Sequence, residues 1–537
     1  MEKTHSKIRI SEKIGYALGD GAANIAWRAV ATFLFIFYTD VFGLDPATVG
    51  MIMLIARFSD GVSDVVMGVI GDRTKSKYGH FRPWILWTAI PLAISLSLLF
   101  TTLGFGVIGK IIYAYVTYIL FTLVYTANNI PYGALMAVIT PDNKERTTFG
   151  SFRMVGAFAG GMLVQGALLF LVSFFGNVNP DITISKTGDK QYYLEVSTPK
   201  DVANVNIKTE KGVATFQWAQ NCDSVMEQSI TTSKSFSMSA NQKYCFNISG
   251  EPSLTASQIV IVDQRNGYSK AIYSLSVFLA IFMILTFLST KERVQPPAEQ
   301  KTNLWLDFKD LIANKPWVIL LIVGLLFNVY NNIKQGIVVV YFTHYINQQL
   351  MAGTYLVIIM LASIAGAMAT APLGKILGKR NLFIYALIFS ALVNSLLILC
   401  GPGDLLAVFT LGAISEFAAA IFPTLFFVML GDAADYSEYK NGRRATGLVY
   451  SAGSFATKFG GGIAGAIIGF VLGSYGYSGQ DAQAIQGAIS GITMLMSWIP
   501  AVIAVLAAVV MIIYPLSQSK LDLITHELNE RREKENI

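Results

Sequence analysis

Charge is what this sequence has least of. Only 14% of its 537 residues are Asp, Glu, Lys or Arg, where a soluble chain carries about a quarter. Cysteine is scarce as well: there are three, with no CxxC pair and no Cys/His cluster to indicate a metal. No nucleophile–base constellation, metal motif or nucleotide-binding loop is apparent, which points away from an enzyme and from any cofactor. The opening "MEKTHSKIRISEK" is polar, so no cleavable signal peptide is expected. The net charge of +6 does not indicate nucleic acid, because much of the excess lies in short loops where it sets topology.

What the chain has in quantity is apolar length. Hydrophobic residues make up 53%, and stretches of about 20 recur, the length a helix needs to cross a bilayer core. The expected class is an all-α polytopic membrane protein. Twelve spans are expected: 14–43, 47–71, 81–103, 107–138, 146–174, 270–290, 316–346, 353–376, 380–400, 404–432, 444–474 and 488–516. Lys and Arg cluster in "DRTKSKYGHFR", "DNKER", "KERVQPPAEQK", "GKILGKR", "KNGRR" and "NERREKENI", and loops such as "GLDPAT" have almost none. The positive-inside rule places both termini in the cytoplasm, as expected of a multi-pass protein of the cell's inner membrane.

Residues 176–269 break the pattern. They are polar, follow an odd-numbered span and therefore face outside. "QYYLEV", "VATFQW", "YCFNI" and "QIVIV" read as short strands between turn residues. A small β-rich extracytoplasmic insert follows, and a Cys222–Cys245 bridge suits its oxidising side. Cys400 lies in an apolar segment and reads as inert packing. The "GDRTKSKYGHFRPW" turn after span two is echoed by "GKILGKRNLF" after span eight. That is the internal repeat of a transporter, with its binding site near mid-membrane between two six-helix halves. The expected divisions are 1–175 (helices I–V), 176–269 (insert), 270–290 (helix VI), 291–315 (middle loop), 316–516 (helices VII–XII) and 517–537 (tail).

Charges inside spans are costly and mark function by default. Asp60 and Asp64 share a helix face at i, i+4, with Ser63 near it. Two carboxylates so close repel unless a cation joins them, so Na⁺, Li⁺ or H⁺ suits the pair. A salt-bridge network with Arg57 or Lys458 is the structural alternative. Arg28, Arg153, Lys334 and Lys458 are cations inside spans, and Glu416 is an acid. Their cationic excess would favour an anionic substrate, or simply neutralise the carboxylates. Trp27, Phe35, Tyr38, Tyr125, Tyr132, Tyr330 and Tyr341 could stack on sugar rings, although packing explains most of them better.

"FYTDVFGL", "ARFSDGVSDVVMG", "KSKYGHFRPW", "YTANNIPYGAL", "DNKER" and "GDAADYSEYKNGRR" resemble the glycoside–pentoside–hexuronide:cation symporters, a family of major-facilitator fold. The resemblance covers nearly all the spans, in order, and leaves out the insert. It implies a carrier of a small carbohydrate, working as a monomer in the bilayer, with Na⁺ or H⁺ as coupling ion. Asp60 and Asp64 match the family's cation-site carboxylates, and Thr126 matches a further cation-site position. Ser63 stands where sodium-using members often have Asn. Lys458 and Arg153 match a helix-eleven lysine and a helix-five arginine. In the family's melibiose permease two acids hold sugar hydroxyls; here those positions are Asn24 and Asn129. Two family tryptophans become Gly133 and Pro423. With Tyr125, Arg28 and Lys334 lining a roomier, less negative pocket, a uronate-containing oligosaccharide is the attractive cargo. A lysophospholipid, carried by distant relatives of this family, is the alternative.

Overall fold

The structure, a computed structural model, is described for residues 8–140, 142–188, 191–199, 202–209, 215–219, 228–231, 236–249, 259–293, 312–441 and 446–535. Among these, eleven helices are long and apolar enough to cross a bilayer. The helix α2, Pro46–Arg73, makes the twelfth by its 28-residue length and carries Arg57, Asp60 and Asp64.

The first six spans are α1 (Ile10–Ile36), α2, α3 (Arg82–Leu99), α4 (Val107–Ile139), α5 (Asn143–Gly176) and α6 (Gln264–Ser289). Local chemistry sets several of their ends. Asp45 accepts the Thr48 N–H at 3.0 Å, and Pro46 follows it at the first helical position. That pairing satisfies an orphan donor and fixes the entry backbone. The first helix begins at Ile10, earlier than expected, and runs on through a wider π-helical turn, Phe37–Val41. The N–H groups of His80, Phe81 and Arg82 at the start of α3 all donate to the Glu292 carboxylate at 2.8 Å. The positive end of the helix is thus closed by an acid from beyond α6.

Glycine allows α1 and α5 to approach to backbone contact. A Cβ on Gly156 would lie 2.1 Å from the Ala17 carbonyl oxygen, and one on Gly160 would lie 2.2 Å from that of Gly21. Small residues four apart are the usual means of close helix packing in lipid, where apolar burial gives little drive.

The remaining helices are α7 (Lys315–His344), α8 (Gln349–Leu377), α9 (Lys379–Ser395), α10 (Leu405–Ala419), α11 (Ile421–Asn441), α12 (Thr446–Ser474), α13 (Ala482–Met496), α14 (Trp498–Ile512) and α15 (Gln518–Glu535). The expected spans 404–432 and 488–516 are each broken in two. Proline explains both breaks, because its ring excludes the carbonyl four residues earlier. Pro423 sits four after Ala419, where α10 ends; Pro500 sits four after Met496, where α13 ends. The carbonyl of Met496, which Pro500 frees, accepts from Asn394 Nδ2 at 3.1 Å, and that of Ser497 accepts from it at 2.8 Å as well as from the Ala501 N–H at 3.3 Å. The tail is a helix, α15, whose Leu521, Ile524 and Leu528 join a buried core with Phe422, Met429 and Tyr514.

Contacts divide the chain into two compact units. One holds residues 1–296, 338–356 and 468–492; the other holds 297–337, 357–467 and 493–537.

The insert carries strands β1 (Asp181–Gly188), β2 (Gln191–Ser197), β3 (Val202–Thr209), β4 (Thr215–Ala219), β5 (Gln228–Thr231), β6 (Phe236–Met238), β7 (Lys243–Ser249) and β8 (Ile259–Asp263). All four expected strand segments are among them. One sheet has the order β1-β2-β7-β4-β5 and the other β6-β3-β8. Tyr192, Leu194, Val196 and Phe246 from the first share a core with Val202, Met238 and Ile261 from the second. Asn177, just past α5, bridges Val262, and β8 leads directly into α6 with Asp263 as its cap. Cys245 is disulfide-bonded; Cys222 lies outside the described residues. Cys400 is buried and in no disulfide. Most of the middle loop, 294–311, also lies outside the described residues.

Candidate functional site

Helices α2 and α4 bring the expected cation residues together. Asp60 is 1% exposed and lies one turn before Asp64. The Thr126 hydroxyl from α4 reaches Asp60 Oδ1 at 2.8 Å and Asp64 Oδ1 at 3.1 Å. Ser63 Oγ lies 3.4 Å from Thr126 Oγ1 and donates to the Asp60 carbonyl at 2.9 Å. A threonine hydroxyl has one proton to give. It serves two carboxylate oxygens here, so one of them faces a lone pair. A bound cation or proton relieves that repulsion. Two carboxylates and two hydroxyls are hard oxygen donors that fit an alkali cation. No cluster of three or more His, Cys, Asp or Glu exists among the described residues, so a site for a soft transition metal is not offered there.

Arg57 is the partner that the sequence offers as the structural alternative. Its Nη1 is 3.3 Å from Asp60 Oδ2, and its guanidinium lies 4.1 Å above the Trp27 ring. Trp27 in turn tilts against Tyr125 at 5.7 Å. An aromatic pair on α1 and α4 therefore touches Asp60 through one arginine. Lys458, the other expected partner, is buried on α12 in the second unit.

Five of the seven expected sugar residues, Asn24, Arg28, Tyr125, Asn129 and Arg153, fall on three helices of the first unit, while Lys334 and Lys458 are in the second. Asn24 and Arg28 are half-buried on α1, and Asn129 is half-buried on α4. Asn24 Nδ2 donates to the Asp20 carbonyl at 3.0 Å. A Cβ on Gly133 would meet open space, and Gly133 lies one turn beyond Asn129 on the same face. Arg153 Nε is 3.3 Å from Asp20 Oδ2, and its guanidinium sits 5.5 Å from the Tyr132 ring. Of the other aromatics singled out, Phe35, Tyr38, Tyr132, Tyr330 and Tyr341 are buried in packing.

Lys334 is not in that group. It belongs to a buried cluster of the second unit, 3.1 Å from Glu416 Oε2. Asp20 is a site residue that sequence reasoning passed over, although it stands one helical turn before Asn24 in the first span. That spacing is a readable signal. Asp40 and His344 also escaped it. Asp40 Oδ2 lies 2.6 Å from His344 Nε2, and Oδ1 accepts from Tyr477 OH and Thr39 Oγ1 at 2.7 Å each. This knot joins the end of α1 to residues 344 and 477 within the first unit. Nothing in the local sequence pairs residues some 300 or 400 positions apart.

The family described as MFS/sugar transport protein matches residues 15–197 and 235–518. A protein of Escherichia coli provisionally named the glycoside/cation symporter YagG is 29% identical over 528 residues, covering 98% of this chain and 96% of that one. The isoprimeverose transporter of Lactiplantibacillus pentosus is 27% identical over 529 residues, covering 98% and 92%. In fold, the chain is similar to a bacterial homolog of the human lysosomal transporter Spinster, with a TM-score of 0.60 at 11% identity over 95% of this chain and 98% of that one. A lysophospholipid cargo finds no support in the names of the sequence relatives.

Proposed function

Since the chain belongs to the family of MFS/sugar transport proteins, we propose that it is a cation-coupled symporter importing a glycoside or oligosaccharide by alternating access. Asp60, Asp64, Ser63 and Thr126 form the cation site. The coupling ion is Na⁺ or H⁺, and no other cofactor is needed. One observation carries this reading: two carboxylate oxygens on α2 converge on a single hydroxyl from α4. An ion bound there competes with Arg57 for Asp60. It thereby acts on Trp27 and Tyr125, giving the reciprocal coupling that symport requires.

On the sugar side, Asn24, Arg28, Tyr125, Asn129 and Arg153 supply the contacts of the first unit. The case for a uronate rests on a cationic excess. Arg153 is paired with Asp20, and Lys334 with Glu416, so much of that excess is neutralised. On that pairing a neutral glycoside is favoured. The protein works as a monomer in the inner membrane, with both termini cytoplasmic and the insert outside.

Vesicle uptake of labelled isoprimeverose, unsaturated uronate oligomers, melibiose and maltose, with and without Na⁺ and a pH gradient, tests the proposal. Uptake of isoprimeverose above the uronates is expected, stimulated by one of the two ions. Asp60→Asn and Asp64→Asn should abolish the stimulation while leaving the protein folded. Concentrative uptake surviving in both variants would refute the site.

A further inference from the structure

We propose that Glu416 is a second cation-binding position, specific for a proton, in the C-terminal set of helices. It stands apart from Asp60 and Asp64, on α10, and the sugar reading uses it only as the partner that neutralises Lys334.

Glu416 and Lys334 are 8% and 4% exposed, each inside a span. Their shell is built of hydroxyls. Lys334 Nζ donates to Glu416 Oε2, Ser415 Oγ and Tyr330 OH, all at 3.1 Å. Glu416 Oε1 accepts from Ser363 Oγ of α8 at 3.1 Å. Ser390 of α9 meets Tyr330 OH at 2.6 Å and donates to the Ser415 carbonyl at 2.8 Å. The titratable groups of the cluster are Tyr330 and Lys334 on α7 and Glu416 on α10; α8 and α9 contribute serines.

Two features select a proton. The Lys334 ammonium already occupies the space beside the carboxylate, which leaves a metal ion no place there, whereas a proton needs none. The shell also suits both states. Hydroxyls donate or accept by rotating. With Glu416 ionised, Ser363 donates to it. With Glu416 protonated, the new O–H can donate to a serine oxygen, and Lys334 keeps the Ser415 and Tyr330 oxygens as acceptors. The step is balanced: one proton from water adds to the carboxylate on one side of the membrane, and the same proton leaves on the other. Protonation takes the Glu416 counter-charge away from Lys334 and weakens that contact between α7 and α10. The protonated state therefore favours rearrangement of α7 against α10.

The test is infrared difference spectroscopy of the detergent-solubilised full chain during acidification, which needs no substrate. Part of the rising carboxylic-acid carbonyl band should be missing in Glu416→Gln. In Lys334→Met, with the ammonium gone, that part should already be present at neutral pH. A band unchanged in Glu416→Gln, or a Lys334→Met spectrum like that of the wild type, overturns the proposal. If Glu416→Gln does not fold, the Lys334→Met spectrum decides alone. The transport arm rests on the symport reading: protons taken up per isoprimeverose in proteoliposomes should fall in Glu416→Gln, and an unchanged ratio overturns the coupling role. A wild type that moves no isoprimeverose counts against that sugar only and leaves the infrared result standing.

Discussion

Replacing Gly160 by alanine adds one methyl group where two backbones touch. The new Cβ would lie 2.2 Å from the Gly21 carbonyl oxygen and 2.8 Å from its Cα. Both are backbone atoms and cannot rotate aside. Ordinary contact begins near 3.4 Å, so α1 and α5 must part by about 1 Å, and overpacking of this kind costs about 1–3 kcal/mol. The shift has a second consequence. Asp20 precedes Gly21, and Arg153 lies two turns before Gly160, so the 3.3 Å Asp20–Arg153 bond stretches beyond hydrogen-bonding reach. The cation site, between α2 and α4, is spared. Gly160→Ala should therefore unfold at lower temperature and bind isoprimeverose more weakly, by roughly ten-fold for each 1.4 kcal/mol of lost contact. Cation affinity measured without sugar should hold. Gly68→Ala on α2 is the control, since a Cβ there meets open space; removing a mid-helix glycine should stabilise by up to about 1 kcal/mol. Calorimetric unfolding and sugar and cation titrations of purified protein provide the readouts. A Gly160→Ala protein with wild-type stability and sugar affinity would refute the reasoning.

Other substitutions probe separate contacts. Thr126→Val removes the one hydroxyl between Asp60 and Asp64; Na⁺ or H⁺ stimulation of uptake should weaken by about ten-fold, the worth of a charge-assisted hydrogen bond. Arg57→Gln leaves Asp60 buried without its cation and should cost about 3–5 kcal/mol in chemical unfolding, with much of it recovered in the Arg57→Gln/Asp60→Asn double variant. Glu292→Ala strips the acceptor from three N–H groups at the start of α3, and thermal unfolding should show a loss of about 1–3 kcal/mol. Tyr477 lies in the turn after α12, and burial, with Asp40 beside it, pushes its phenol well above the ordinary tyrosine value of 10.0. A raised folded value means that its stabilisation is intact below the ordinary value and is lost only as pH climbs through the raised one. The wild type should thus keep the Asp40 contact through neutral pH and lose stability in strong alkali, whereas Tyr477→Phe should lack that alkaline loss in a pH series of melting temperatures.

The spans are legible in the sequence because crossing a bilayer demands one long apolar run per helix, and the i, i+4 carboxylates are legible because helix spacing is local. The family motifs place Thr126 beside them. The prolines at 423 and 500 are visible, but whether a proline kinks or breaks a span depends on what donates to the freed carbonyl, as Asn394 does to that of Met496. Charge pairing is the least legible feature. Along the sequence Lys334 and Arg153 count toward an anionic cargo, yet their partners Glu416 and Asp20 stand on other helices. Which cation meets which acid is fixed by helix packing, and periodicity along one chain does not reveal it.

The attachment of the insert has a practical use. A strand that becomes a helix without a linker, and a bridge from Asn177 to Val262, tie the sandwich to the ends of α5 and α6. Whatever grips the sandwich therefore grips those two helices. A dye, a spin label or a binding protein placed on β1 or β2 becomes a rigid lever arm that magnifies small tilts of α5 and α6 into displacements large enough to follow one molecule at a time.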